Sequence, residues 1–161
     1  MQIFDIKDNE LYVNLMEQKR FLVDSFEYPY RSQCALPLIG NSTNSEYVLD
    51  INKKSFIVSR TTLQNRIKES HILLRLDIDT KPHRNPDRKT IGGTHIHIFD
   101  YTDINGSWAF ELSDPVLSTI FPDFDFSKLA KDGIDHIEQF RLFCQLCNAP
   151  HIPRIVSTLF N

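Results

Sequence analysis

Nowhere does the chain carry the run of roughly 18 to 20 apolar residues that a membrane span requires. Its start, MQIFDIKDNELYVN, holds acids and no apolar stretch of signal-peptide length. The expectation is a cytoplasmic protein with no membrane partner. An excess of positive charge is also missing. The formal net charge is −3, which excludes a protein that coats nucleic acid through a broad electrostatic footprint and leaves only local basic patches for such contacts. No internal repeat or low-complexity tract interrupts the sequence. Cysteine is scarce: there are three, of which Cys144 and Cys147 form a CxxC inside a helical pattern. The further soft ligands of a zinc site are absent from their neighbourhood, as is the preceding strand of a thioredoxin-like motif. Two buried core thiols one turn apart are expected instead.

What is present is an ordinary globular composition, 41% hydrophobic and 24% charged over 161 residues. That suffices for one domain with a substantial core and is too short for two. Leu11, Leu15, Met16, Leu22 and Val23 predict an N-terminal amphipathic helix from Asp8 to Val23, capped by Asp8 or Asn9. QCALPLIG reads as an edge strand, because Pro37 cannot donate to a central ladder. EYVLDINKKSFIVSR predicts a hairpin turning at Asn52, Lys53 and Lys54; TTLQNRIKESH suits either a continuation of its second strand or a short helix, and the preferred reading is a long strand to about Asn65 with a turn through Lys68, Glu69 and Ser70. HILLRLDID and THIHIF follow as strands, and Asn105-Gly106 signals the turn into SWAFEL. Residues 113–133 read as an irregular cover with short helical turns. IDHIEQFRLFCQLCN is a clear helix with Ile134, Ile137, Phe140, Leu142, Phe143 and Leu146 as its buried stripe, and APHIPRIVSTLF ends in a short strand. The sum is a single α+β domain over residues 1–161: an antiparallel sheet of about five or six strands, with an N-terminal and a C-terminal helix packed on one face.

The chemistry concentrates between Arg75 and His97, in RLDIDTKPHRNPDRKTIGGTHIH. A two-residue side-chain period puts His71, Leu73, Arg75, Asp77 and Asp79 on one face of the first strand and Ile72, Leu74, Leu76 and Ile78 on the other. The same period sends His95, His97 and Phe99 one way and Thr94, Ile96 and Ile98 the other. If the strands share a sheet with aliphatic faces inward, Arg75, Asp77, His95 and His97 share its opposite surface. Metal-independent phosphodiester cleavage of RNA needs a general base, a general acid and cationic donors for the phosphorane. His95 and His97 supply the first two, roughly 6 to 7 Å apart on one strand face. Arg75 and Arg84 supply charge, and Asp77 fixes a histidine tautomer. Lys81, Arg84, Arg88 and Lys89 form a backbone-phosphate cradle for nucleic acid. That chemistry needs no cofactor. Alternatively, His95 and His97 with His83 and Asp77 or Asp79 offer the ligand types for Zn²⁺ or non-haem iron. A third possibility is a partner surface without catalysis. His71, His136 and His151 lie outside the cluster.

The run LLRLDIDTKPHRNPDRKTIGGTHIHIF, followed by WAFEL, resembles an uncharacterised bacterial and phage domain family with R-L-D, P-H-R-N-P-D-G, H-x-H and Trp-Ala motifs. The likeness covers about residues 55 to 112 strongly and the final helix weakly. The chain departs from it at Arg88, where glycine is expected, and in DYTDING, where a glycine-rich turn is expected. More distantly the Arg-x-Asp strand, Pro-His turn and His pair are similar to TumE-type toxins, small ribonuclease-like members of toxin-antitoxin pairs. That likeness implies a helix packed on an antiparallel sheet, an antitoxin as partner, and a site at Arg75, Asp77, His83, His95 and His97. A mobile-element protein that binds and blocks a host defence complex is the related non-catalytic expectation.

Overall fold

Apolar and polar residues alternate along most of the strand segments between Gln33 and Ile98, and that alternation sets the architecture. The computed structural model describes residues 3–57, 59–99 and 107–156. In chain order the elements are α1 (Ile3–Lys7), α2 (Tyr12–Met16), β1 (Lys19–Phe21), β2 (Ser25–Glu27), β3 (Gln33–Gly40), β4 (Glu46–Asn52), β5 (Thr61–Ile67) and β6 (Ile72–Ile78). They continue with β7 (His83–Arg84), β8 (Thr90–Ile91), β9 (His95–Ile98), β10 (Ala109–Glu111), α3 (Pro115–Ile120), a 3₁₀ turn (Phe126–Lys128), α4 (His136–Leu146) and β11 (Arg154–Val156). Seven strands form one sheet in the order β1-β3-β4-β5-β6-β9-β10, every neighbouring pair antiparallel. The fold is therefore the expected single α+β domain on an antiparallel sheet.

The seventh strand comes from the segment expected to be helical. Residues 8–23 form no continuous helix: after a turn in which the Asn9 side chain accepts the Leu11 N–H at 2.8 Å, only Tyr12–Met16 is helical, and Glu17 turns extended with ψ 148° and leads into β1. Lys19–Phe21 then pairs with Leu38–Gly40. The Lys19 ammonium is buried and donates to the carbonyls of Leu15, Glu17 and Cys147 at 3.3, 3.0 and 3.2 Å, which ties this edge to the end of α4. Burial pushes its pKa down to about 8.

β3 consequently lies inside the sheet. Pro37 is tolerated there because its carbonyl, which accepts the Leu22 N–H at 2.9 Å, faces the side where β1 has just ended, so no ladder donor is missed. The β4–β5 hairpin exists, but its second strand starts at Thr61 rather than beside Lys54. Residues 53–57, 59 and 60 lie outside any strand, and Phe56 and Ile57 among them are exposed. The turn at Lys68–Ser70 is as expected. On β6, Leu73 is buried against the alternation, because a register shift at Asn65/Arg66 leaves it as the extra residue of a bulge.

Leu36, Leu38, Leu49, Ile51, Leu63, Leu74, Leu76, Ile96 and Ile98 form a single buried cluster with Ile6, Leu15, Leu117, Phe140 and Phe143. Asp135 caps α4 by accepting the Ile137 N–H at 3.1 Å. Cys144 and Cys147 are free, buried thiols, and burial pushes Cys147 up to about 12. β11 pairs in parallel with β2. The Asn105-Gly106 turn lies outside the described residues, although the β9–β10 pairing that it was expected to allow is present.

Candidate functional site

β6 and β9 are neighbours in the register Arg75↔His97 and Asp77↔His95. This brings together the four side chains expected to share a face, opposite the aliphatic residues of the same strands. Arg75 binds Asp77 bidentately along one strand, Nε to Oδ1 at 3.1 Å and a terminal nitrogen to Oδ2 at 2.9 Å. Across the ladder, Nε2 of His95 and of His97 approach the same Oδ2 at 3.3 and 3.4 Å. Thr62, facing Asp77 from β5, donates to Oδ1 at 3.2 Å.

The second ring nitrogens fix the rings. His95 Nδ1 donates to the Gly93 carbonyl at 2.8 Å, and His97 Nδ1 lies 3.0 Å from the Ser107 hydroxyl. Gly93 reaches this position with φ +68°, in the left-handed region that glycine enters without strain. His97 Nε2 is also 3.1 Å from the Arg75 guanidinium.

The face is not bare. The short hairpin of β7 and β8 folds over its β9–β10 end. His83 lies edge-on to His97 at 4.7 Å between ring centres and 6.3 Å from His95, and its Nε2 donates to the Ser107 carbonyl at 2.8 Å. Asn85 pairs its amide with Ala109, accepting from N at 2.8 Å and donating to O at 2.9 Å, so a side chain completes the outer edge of β10. Under this cover His95 is 1% and His97 0% exposed.

Beside the cover a cleft of about 580 Å³ opens over β5 and β6. Arg75, Asp77, His83 and His95 line it, together with Lys54, Arg60, Lys81 and Thr80; His97 is not among its lining residues. Four cationic side chains face one carboxylate there, so the cleft favours an anion despite the acidic total. The Thr80 hydroxyl has no hydrogen-bond partner among the described residues. Burial would raise the Asp77 pKa, but hydrogen bonds from His95, His97 and Arg75 outweigh it and hold the carboxyl well below the usual range. Burial likewise depresses His95, yet its bonds to Asp77 and the Gly93 carbonyl win and raise it, which favours the imidazolium.

Of the basic residues expected to cradle phosphate, Lys81 lines the cleft, whereas Arg84, Arg88 and Lys89 are exposed on the hairpin away from its lining. Asp79 turns aside with φ +52°, its carboxylate taking the Ser59 hydroxyl and its carbonyl the Arg60 Nε at 3.0 Å. His71 is exposed, His136 meets Lys53 at 3.2 Å on α4, and neither joins the site. Lys54, Arg60 and Gln64 were not singled out from the sequence. The period of β5 puts Thr62 and Gln64 on one face, and pairing sets them opposite Asp77 and Arg75.

Asp77, His95 and His97 each offer one ligand atom within 4.8 Å of the others. The tied Nδ1 atoms are the outer-shell arrangement that metal-binding histidines use. No curated protein and no solved structure matches the chain. Residues 6–149 match the model described as "Family of unknown function (DUF6978)", and the chain belongs to that family.

Proposed function

We propose that the protein is a small ribonuclease-like toxin that cleaves RNA by histidine acid-base chemistry without a metal, its natural partners being RNA and an antitoxin. The supporting observation is the cleft, where cations surround a carboxylate-supported histidine and a second histidine. His95, which Asp77 biases toward the imidazolium, is the general acid for the leaving 5′-oxygen. Its Nε2 faces Asp77 at 3.3 Å on the wall of the cleft, and the proton on that nitrogen is the one given to the leaving oxygen. His83, whose Nε2 proton is engaged by Ser107, has Nδ1 to take the 2′-hydroxyl proton. The 2′-oxygen then attacks phosphorus, and a 2′,3′-cyclic phosphate forms as the 5′-oxygen leaves with the proton from His95. Arg75 and Lys81 stabilise the phosphorane oxygens. His97, enclosed and bonded to Arg75, is a positioning residue. The likeness to TumE-type toxins points the same way.

A second function rests on the convergence of Asp77, His95 and His97: a hydrolytic Zn²⁺ site. Arg75 weighs against it, because its guanidinium already lies 2.9 Å from Asp77 Oδ2 and 3.1 Å from His97 Nε2, and a divalent ion there has to displace it. The test is incubation of purified protein with total RNA in a chelator, comparing wild type with His83→Ala and His95→Gln, each checked for folding. Cleavage persisting in chelator and falling by about 10²-fold or more in either variant is expected. An inactive wild type across salt and pH removes the proposal, and a stoichiometric ion lost in His95→Gln favours the metal. A stable host complex indifferent to both changes favours a non-catalytic inhibitor.

A further inference from the structure

Phe56 is 89% exposed, on a loop that supplies Lys54, Ser55 and Arg60 to the cleft. Burying a phenylalanine contributes roughly 1.5–3 kcal/mol, and this fold forgoes that gain on the loop that helps line its basic concavity. The base of the loop is well held: Lys53 is buried and donates to Thr61 Oγ1 at 2.8 Å, and Lys54 N donates to Asn52 Oδ1 at 3.0 Å. The ring is thus presented from an anchored platform. A second concavity of about 450 Å³ shares Asn52, Thr62 and Gln64 with the first, so a polar track continues across the open face toward Gln33. Its amides and hydroxyls suit base edges, and the cations at the cleft suit phosphates.

We infer that the ligand of this face is single-stranded RNA, held with one unpaired base stacked on Phe56 and its neighbours along the Asn52–Gln64 track. The inference rests on the proposed RNA-cleaving role and names its substrate class. A paired base has both faces covered within a duplex, whereas a single strand offers them to an aromatic ring. The probe is a labelled 2′-O-methyl oligoribonucleotide, which has no free 2′-hydroxyl and so reports binding without cleavage, followed by fluorescence anisotropy. Phe56→Ala, at a site the core does not use, is expected to weaken binding of the single strand roughly 5- to 100-fold, with Phe56→Trp restoring it. The same sequence as a duplex is expected to bind more weakly and to be indifferent to Phe56. Absence of single-strand binding, a preference for the duplex, or equal binding by Phe56→Ala overturns the inference; the ring is then free for a protein partner. Phe56-dependent binding by a protein that never cuts RNA supports the platform and removes the cleavage. Cutting with Phe56-independent binding does the reverse.

Discussion

Replacing Asp77 by asparagine keeps the volume of the side chain and removes the one anion of the cluster. Arg75 lies 2.9 Å from Oδ2, a separation at which two unit charges attract by about 6 kcal/mol at an effective dielectric constant of 20. Much of that offsets desolvation. Truncating one partner of a buried pair typically costs about 3–5 kcal/mol, because the other charge is left uncompensated. For a chain of this length that is a fall in Tm of roughly 6–20 °C. The pH dependence is more diagnostic than the size. In the wild type His95 is raised above its ordinary value near 6.5, so its contribution is complete below that pH and is lost as pH rises through the folded pKa. Asp77 is depressed, so its contribution is present above about pH 4 and is lost only as pH falls further, through its folded pKa. In Asp77→Asn the bond and the charge of Asp77 that raise His95 are gone, and burial, the largest influence on the ring, together with the Arg75 charge outweighs the remaining bond to the Gly93 carbonyl. The folded pKa then drops below the unfolded one, and the variant loses stability on acidification through the range where the wild type holds it. Thermal melts from pH 5 to 8, with the His95 ring protons followed by NMR, read both effects. A variant that melts within about 2 °C of wild type with an unchanged His95 titration would refute Asp77 as the cluster's charge anchor.

Asn85→Ala removes both bonds to Ala109 and is expected to cost about 1–3 kcal/mol, seen as a lower urea midpoint and faster amide exchange at Ala109. His97→Ala, at a fully enclosed ring, is expected to lower stability by about 2–4 kcal/mol, whereas His83→Ala, at a half-buried ring, is expected to cost less than that and to lower cleavage by about 10²-fold or more, a contrast read by parallel melts and RNA assays. Cys144 and Cys147, buried and held as thiols, are expected to resist alkylation at pH 8 until the protein is unfolded, as mass spectrometry of iodoacetamide adducts shows; rapid native labelling contradicts their placement.

The central strands were legible because their two faces differ. RLDI and HIHI alternate cleanly, and the register of β6 with β9 sets their polar residues opposite one another. The N-terminal segment was not legible in the same way. Leu11, Leu15, Leu22 and Val23 fit a helical stripe, yet the extended turn at Glu17, whose carboxylate binds Ser42 and Thr43, and the pairing of Lys19–Phe21 with β3 depend on contacts made elsewhere in the chain. The candidate site was legible as a list and not as a surface. Spacing placed His95 and His97 on one face, but the hairpin that encloses them is positioned by Asn85 and His83 reaching Ala109 and Ser107, contacts more than twenty residues distant that no period encodes. Lys54 and Arg60 were missed for the opposite reason: they sit in a stretch whose apolar Phe56 and Ile57 imitate a buried strand.

Cleavage of a DNA oligonucleotide carrying a single ribonucleotide, assayed in chelator, tests the catalytic account most directly. A cut confined to the ribonucleotide, leaving a 2′,3′-cyclic phosphate and lost in His95→Gln, is the predicted result. An uncut strand, or cuts that ignore the 2′-hydroxyl, would contradict it.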